Sequence, residues 1–236
     1  GRLGYAITPR FALTSSSAQL AAAGRLASEY PDVWVHTHLA ENMDEVDEIA
    51  RLFPDSRSYL DVYEQHGLLR ERAVFAHCLH MDAQDRRSMA TAGGAAAFCP
   101  TSNLFLGSGL FDLSSMREAG IRCGLGTDVG GGTSLSLLRT ASEAYKVLHL
   151  QEHALPAARA LYLATLGAAE ALYLDDKIGN FAPGKEADFA VLDYEGTTLT
   201  KRRIAAASTI EEKLFALITL ADDRNIAATY VNGEQV

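Results

Sequence analysis

The feature that most constrains this chain is an alternation, in which short apolar strand-like runs recur with helical patterns between them. The runs are Gly4 to Thr8, Val33 to His38, Ala73 to His77, Ala95 to Cys99 and Ile121 to Asp128. Helical patterns fall between them at Ser16 to Glu29, Met43 to Leu52, Ser58 to His66 and Asp82 to Ala92. This rhythm predicts parallel βα units, whose right-handed crossovers set the helices outside a curved sheet. Asp82 reads as the N-cap and Gly93-Gly94 as the C-cap of the last of these helices. Two longer helical stretches follow, Ser134 to Leu150 and Pro156 to Leu174, the second interrupted only by Gly167. The pattern then changes. Gly179, Pro183 and Gly184 break the chain, Phe189 to Leu192 and Ala228 to Val231 are strand-like, and Asn232-Gly233 is a hairpin signal, so the C-terminal segment reads as a small β-structure.

Three of the strand-like runs end in side chains that bind metals. In His36-Thr37-His38 the two imidazoles share one face of a strand, and Glu41 lies three residues further on in the loop. Neutral imidazole suits zinc, and a nearby carboxylate that is not itself a ligand can move protons during hydrolysis. His77 closes the second run and Asp128 the third, just before Gly130-Gly131-Gly132. Each alone has a plainer reading, as a hydrogen-bonded core histidine or a turn-capping aspartate. Their joint occurrence at strand ends is what a parallel barrel uses to build an active site, because all C-terminal strand ends meet on one face.

At 236 residues and 48% hydrophobic, the chain can bury a full core, as one large domain with a small one attached. The net charge of −9 argues against nucleic-acid partners, which call for a basic stripe; Lys201-Arg202-Arg203 reads as a solvated turn. Cys78, Cys99 and Cys123 form no CxxC pair, so no disulfide framework or thiolate zinc site is expected, and a reducing cytoplasm fits. No apolar run reaches about 18 residues and no secretory leader is visible, so no membrane partner is expected. The sequence starts without methionine and enters a strand-like run at once, which reads as the interior of a protein.

The motifs together resemble the amidohydrolase superfamily and, within it, the guanine deaminases. The matching pieces are Thr8-Pro9-Arg10-Phe11, His38-Leu39-Ala40-Glu41-Asn42, Ala76-His77, Cys99-Pro100-Thr101-Ser102-Asn103-Leu104 and Gly126-Thr127-Asp128-Val129. Further along come Ile178 to Phe181, Gly184 to Asp188 and Asp222-Asp223-Arg224-Asn225-Ile226. The middle motifs belong broadly to zinc deaminases and related hydrolases. Thr-Pro-Arg-Phe and Asp-Asp-Arg-Asn-Ile point more narrowly to the guanine deaminases.

The resemblance implies an α/β fold: the later strands of a (β/α)8 TIM-type barrel over residues 1–175, with part of a small C-terminal β-sandwich domain, including a closing helix and strand, over 176–236. It implies hydrolytic deamination of guanine to xanthine and ammonia, with one zinc per site, Fe2+ being the alternative metal. His38 and Asp128 would be metal ligands, Glu41 the proton shuttle, and His77 a hydrogen-bonding partner of the reacting centre. His38 and Asp128 would also border the purine. Arg10 would select substrate, its guanidinium donors matching the O6 edge of guanine, with Phe11 as a wall beside it. The complete protein would be a cytoplasmic homodimer. The superfamily's early His-x-His pair has no counterpart before Arg10, and His36 lies deeper in its strand than the matching position. An isolated half barrel would carry two unpaired edges and fold poorly or pair with other chains. Two other outcomes stay open: another deaminase or chlorohydrolase of the superfamily, or a fragment with only a structural role.

Overall fold

The computed structural model describes residues 2–236. Five strands form a parallel sheet in sequence order: β1 (Ala6–Ile7), β2 (Trp34–Leu39), β3 (Ala73–His77), β4 (Ala95–Phe98) and β5 (Arg122–Leu125). The register pairs Val35 with Ala73, Leu39 with His77, and Phe98 with Leu125, so the C-terminal strand ends lie level. A 3-10 turn (Ala12–Thr14) and helix α1 (Ser17–Glu29) link β1 to β2, and α2 (Met43–Leu52) with α3 (Tyr59–Gln65) link β2 to β3. Helix α4 (Ala83–Ala92) leads to β4, and α5 (Pro100–Leu106) with α6 (Leu113–Glu118) lead to β5.

Helix starts follow their sequence cues. Ser16, Asn42, Ser58 and Asp82 each accept a hydrogen bond from the backbone N–H three residues on, satisfying a donor the helix itself cannot. The core lies between sheet and helices, where Val35, Leu39, Tyr63, Phe75, Phe98 and Phe111 are fully buried. The opposite face of β2, carrying His36 and His38, is more open.

Beyond β5 come α7 (Leu137–Leu150), α8 (Ala157–Ala164) and α9 (Leu166–Ala171). The sequence pattern gives one helix from Pro156 to Leu174, and the structure divides it at Thr165, whose φ of −130° and ψ of −98° are not helical. The break lets Gly167 sit against Tyr162, where an added Cβ would lie 2.7 Å from the ring. Several other expectations change. β1 is two residues rather than five, the strand expected to run to Asp128 stops at Leu125, and α5 and α6 occupy a stretch with no clear apolar period.

The remaining elements are β6 (Phe189–Leu192), α10 (Thr198–Ala205), α11 (Ile210–Leu220), a 3-10 turn (Asp223–Asn225), β7 (Ile226–Val231) and β8 (Glu234–Gln235). β6, β7 and β8 form a separate antiparallel sheet. Its hairpin turns at Asn232 and Gly233, both with positive φ (54° and 81°), the type I′ geometry that Asn-Gly favours. Helix α11 packs on α7, α8 and α10, with Phe215 edge-on to Tyr145 at 5.1 Å. Among the described residues, no helix is long and apolar enough to cross a membrane.

Candidate active site

The C-terminal ends of β2, β3 and β5 share an unusual backbone. Ala40, His77, Cys78 and Asp128 have φ of 48°, 73°, 53° and 46°. Each left-handed, non-glycine residue costs roughly 1–2 kcal/mol, so the surrounding packing must offset the strain, and such residues concentrate at functional sites. The consequence is clearest at His77. Its register partner, Leu39, is buried on the helix-facing side, and strict alternation would send His77 there too. The left-handed turn at His77 and Cys78 instead lays the imidazole against His38, with ring centroids 5.4 Å apart and planes 19° from parallel.

The result is a cluster in which ligand atoms of His38, His77 and Asp128 all lie within 4.8 Å of one another. His38 Nδ1 donates to the Arg10 carbonyl at 2.6 Å, which fixes the tautomer and leaves Nε2 free. His77 Nδ1 donates to Asn103 Oδ1 at 2.8 Å. The other ring nitrogen, Nε2, is buried with no hydrogen-bond partner, 3.7 Å from Glu41 Oε2 and 3.8 Å from Asp128 Oδ2. An unpartnered buried nitrogen among two carboxylates and a second imidazole is the donor set a divalent metal satisfies. His36 is outside this cluster. It lines a cavity of about 1000 Å³ with Trp34, Arg72 and Lys177, toward the other ends of the strands.

Arg10 and Phe11 leave β1 beside the cluster. The Phe11 ring is 5.5 Å from that of His38, and the Arg10 guanidinium lies over Phe11 at 5.1 Å. Their place is set by Tyr63, whose hydroxyl donates to the His38 carbonyl at 2.8 Å and accepts from Ala12 N–H at 2.9 Å. Thr37 Oγ1 lies 3.1 Å from the same hydroxyl and donates to the Arg10 carbonyl at 3.2 Å. Burial pushes the Tyr63 hydroxyl up to about 12 and the Tyr59 hydroxyl well up, so both stay protonated donors at neutral pH.

The Glu41 loop is held by groups the motif reading left without roles. Buried Glu45 accepts from Tyr59 Oη at 2.6 Å and from Glu41 N–H at 3.0 Å. Ser108 Oγ donates to Glu41 Oε1 at 3.2 Å. Glu45 was within reach of the sequence, since Asn42-x-x-Glu45 is a capping-box spacing. Asn103 sits inside the Cys99 to Leu104 motif, but Tyr63 and Ser108 carry no local signal. The cysteines are protonated thiols: burial pushes Cys99 and Cys123 up to about 12, helped at Cys99 by the charge of Asp128, and pushes Cys78 well up.

A fold of parallel strands with histidines and an aspartate gathered at their C-terminal ends defines a class of metal-assisted hydrolases, and the family model agrees: it matches residues 1–236, and the chain belongs to the amidohydrolase family. More particularly, it is 53% identical over 236 residues to guanine deaminase of Escherichia coli (strain K12), covering 100% of this chain and 54% of that protein. The solved structure of E. coli guanine deaminase matches with a TM-score of 0.99 over 100% of this chain and 55% of that chain. A guanine deaminase from C. acetobutylicum, with guanine bound in its active site, matches at 29% identity and a TM-score of 0.87 over 97% of this chain and 54% of that one. Atrazine chlorohydrolase from Arthrobacter aurescens TC1, complexed with zinc, matches at 26% identity and a TM-score of 0.80 over 97% of this chain and 49% of that one. The chain spans about half the length of the curated relatives it matches. Its α/β fold, a five-stranded parallel sheet with a small separate antiparallel sheet, is matched by the E. coli guanine deaminase structure over the whole of this chain.

Proposed function

We propose that the site on this chain serves hydrolytic deamination of guanine to xanthine and ammonia. The observation that carries this reading is the docking of the Arg10–Phe11 segment on His38, which sets a guanidinium and an aromatic ring beside the His38, His77 and Asp128 donors. The likeness to guanine deaminases supports the substrate, and the zinc bound by the chlorohydrolase neighbour supports the metal.

His38 and Asp128 would hold one zinc, with His77 near enough to join them or to hydrogen-bond what the metal binds. Bound zinc supplies Lewis acidity, making water acidic enough to act as a nucleophile at a pH of about 7. The chain's own groups handle the protons. His77 Nε2 accepts a hydrogen bond from the attacking water, and Asp128 takes its proton. Glu41 relays the proton held by Asp128 to the ring nitrogen of guanine, then takes the proton of the added hydroxyl and passes it to the amino group. The C2–O bond forms, the C2–N bond breaks, and the two protons of water end on the ring nitrogen and the departing ammonia. Arg10 addresses O6, and Phe11, His38 and Asp128 border the base.

We assign residues 1–175 to the barrel portion and 176–236 to the C-terminal β-segment, with α11 returning to the barrel side. The complete protein is a cytoplasmic homodimer acting on a free purine base, without nucleic-acid or membrane partners. The test is ammonia release from guanine by protein expressed from its whole reading frame, with zinc added. Turnover that disappears on chelation and returns with zinc is expected; failure to release ammonia from guanine, with turnover of another aminated or chlorinated ring, rejects the substrate.

A further inference from the structure

No side chain of β4 enters the metal-capable cluster, yet the helix that follows it and the turn at its end touch all three loops that build the site. Thr101 Oγ1 donates to the Thr127 carbonyl at 3.2 Å, beside Asp128. Asn103 Oδ1 accepts from His77 Nδ1. The helix ends at Gly107, whose φ of 70° turns the chain so that Ser108 N–H reaches back to the Asn103 carbonyl at 2.9 Å. That turn delivers Ser108 Oγ to Glu41 Oε1. Thr101, Asn103 and Ser108 are all buried.

The geometry divides the atoms of His77 and Glu41 into held and free. Nδ1 and Oε1 are held by Asn103 and Ser108, while Nε2 and Oε2 are left 3.7 Å apart, facing each other beside Asp128. A glutamate carboxylate with no such anchor samples several rotamers, and an imidazole with no partner on Nδ1 samples both tautomers. We propose that Asn103 and Ser108 are positioning residues, Asn103 fixing the His77 ring with Nε2 as an acceptor toward the site and Ser108 fixing Glu41 with Oε2 toward the same point. Helix α5 and the turn that ends it then align the proton-handling pair. The inference rests on the roles given above to Glu41 and His77.

The test uses protein expressed from its whole reading frame. With zinc bound, Ser108→Ala should lower kcat for guanine on the order of tenfold, with KM within about twofold and the zinc content unchanged. Ser108→Thr, which restores a hydroxyl, should recover most of the loss. An unchanged kcat in Ser108→Ala, or a Ser108→Thr as slow as Ser108→Ala, overturns the role of Ser108. For Asn103 the readout is independent of turnover. Nitrogen NMR of labelled, metal-free protein should find His77 as one tautomer with hydrogen on Nδ1, and Asn103→Leu should let it populate both. Asn103→Ala serves if leucine at this buried position prevents folding. A His77 tautomer that ignores the Asn103 substitution overturns the proposal there. A protein that leaves guanine untouched while His77 still answers to Asn103 fails the deaminase reading and keeps the positioning.

Discussion

Arg10 is where the proposed substrate can be tested most directly, because its backbone and its guanidinium make separate contacts. The carbonyl anchors His38 Nδ1 and the Thr37 hydroxyl, and both bonds survive any side-chain change. The guanidinium, stacked over Phe11, is exposed and has no carboxylate partner among the ion pairs of the described residues. Arg10→Ala should therefore leave folding and metal content intact. It should lower kcat/KM for guanine by about 10–150-fold, the value of a hydrogen bond to a charged group at roughly 1.5–3 kcal/mol. Steady-state kinetics on guanine with parallel metal analysis check this, and an unchanged kcat/KM would remove Arg10 from substrate recognition. The same scale shows what a motif conveys. His38, Glu41, His77 and Asp128 stand out in the sequence because few residue types do their chemistry, whereas Ser108 and Tyr63 act through a hydroxyl that any surface could carry.

Helix against helix, packing depends on close approaches that composition does not reveal. Helix α1 crosses the end of α3 at Gly24, where a Cβ would stand 1.8 Å from the His66 carbonyl oxygen. Next to it, Ser17 Oγ lies 3.0 Å from His66 Nε2. Gly24→Ala has no room without moving a helix, and a loss of roughly 1–3 kcal/mol is expected, as for overpacked cores. Urea unfolding monitored by circular dichroism measures it, and a midpoint equal to the parent's would mean that α1 is free to shift. The strands are joined at the other end of the sheet by stacked cations and rings: Arg72 lies over Trp34 at 4.9 Å and Tyr173 at 5.7 Å, and Arg122 over Tyr173 at 4.2 Å. These elements were legible as helices and strands from their apolar periods and caps. The split at Thr165 was not, because an Ala- and Leu-rich run favours helix throughout, and the close approach of Gly167 to Tyr162 that accompanies the break is a tertiary contact.

For the molecule as a whole, acidity is the condition to which the charge pattern is most sensitive. Asp82 is held below the usual carboxylate range by the Asp85 N–H and then by Arg57, and Asp188 by the Asn232 N–H and then by Arg2. Arg224 lowers Asp222 to about 2. A depressed carboxylate pKa adds stability above the unfolded value, about 3.9 for aspartate, and that stability is lost as pH falls through the folded value. The urea midpoint should thus be insensitive to these groups from about pH 7 to 5 and should fall between about pH 4 and 2. A midpoint that rises on acidification through that window contradicts the assignment. The bond from Arg2 to Glu186 and Asp188 also joins the start of the chain to the antiparallel segment, 184 and 186 residues away.

The sequence by itself determined the class: parallel βα units, a hairpin near the C-terminus, and strands ending in imidazole and carboxylate. Those features depend on local periodicity and on the scarcity of side chains that bind metals, both of which are written residue by residue. Only the tertiary structure decided that His77 turns off the alternation of its strand to meet His38, that His36 stays outside the cluster, and that α5 and the turn ending it reach His77, Glu41 and the Asp128 loop together. The reason is physical. A left-handed backbone at a non-glycine residue and a hydrogen bond spanning 26 to 67 positions are favourable only after the sheet has brought the strand ends together, so no short stretch of the sequence records them.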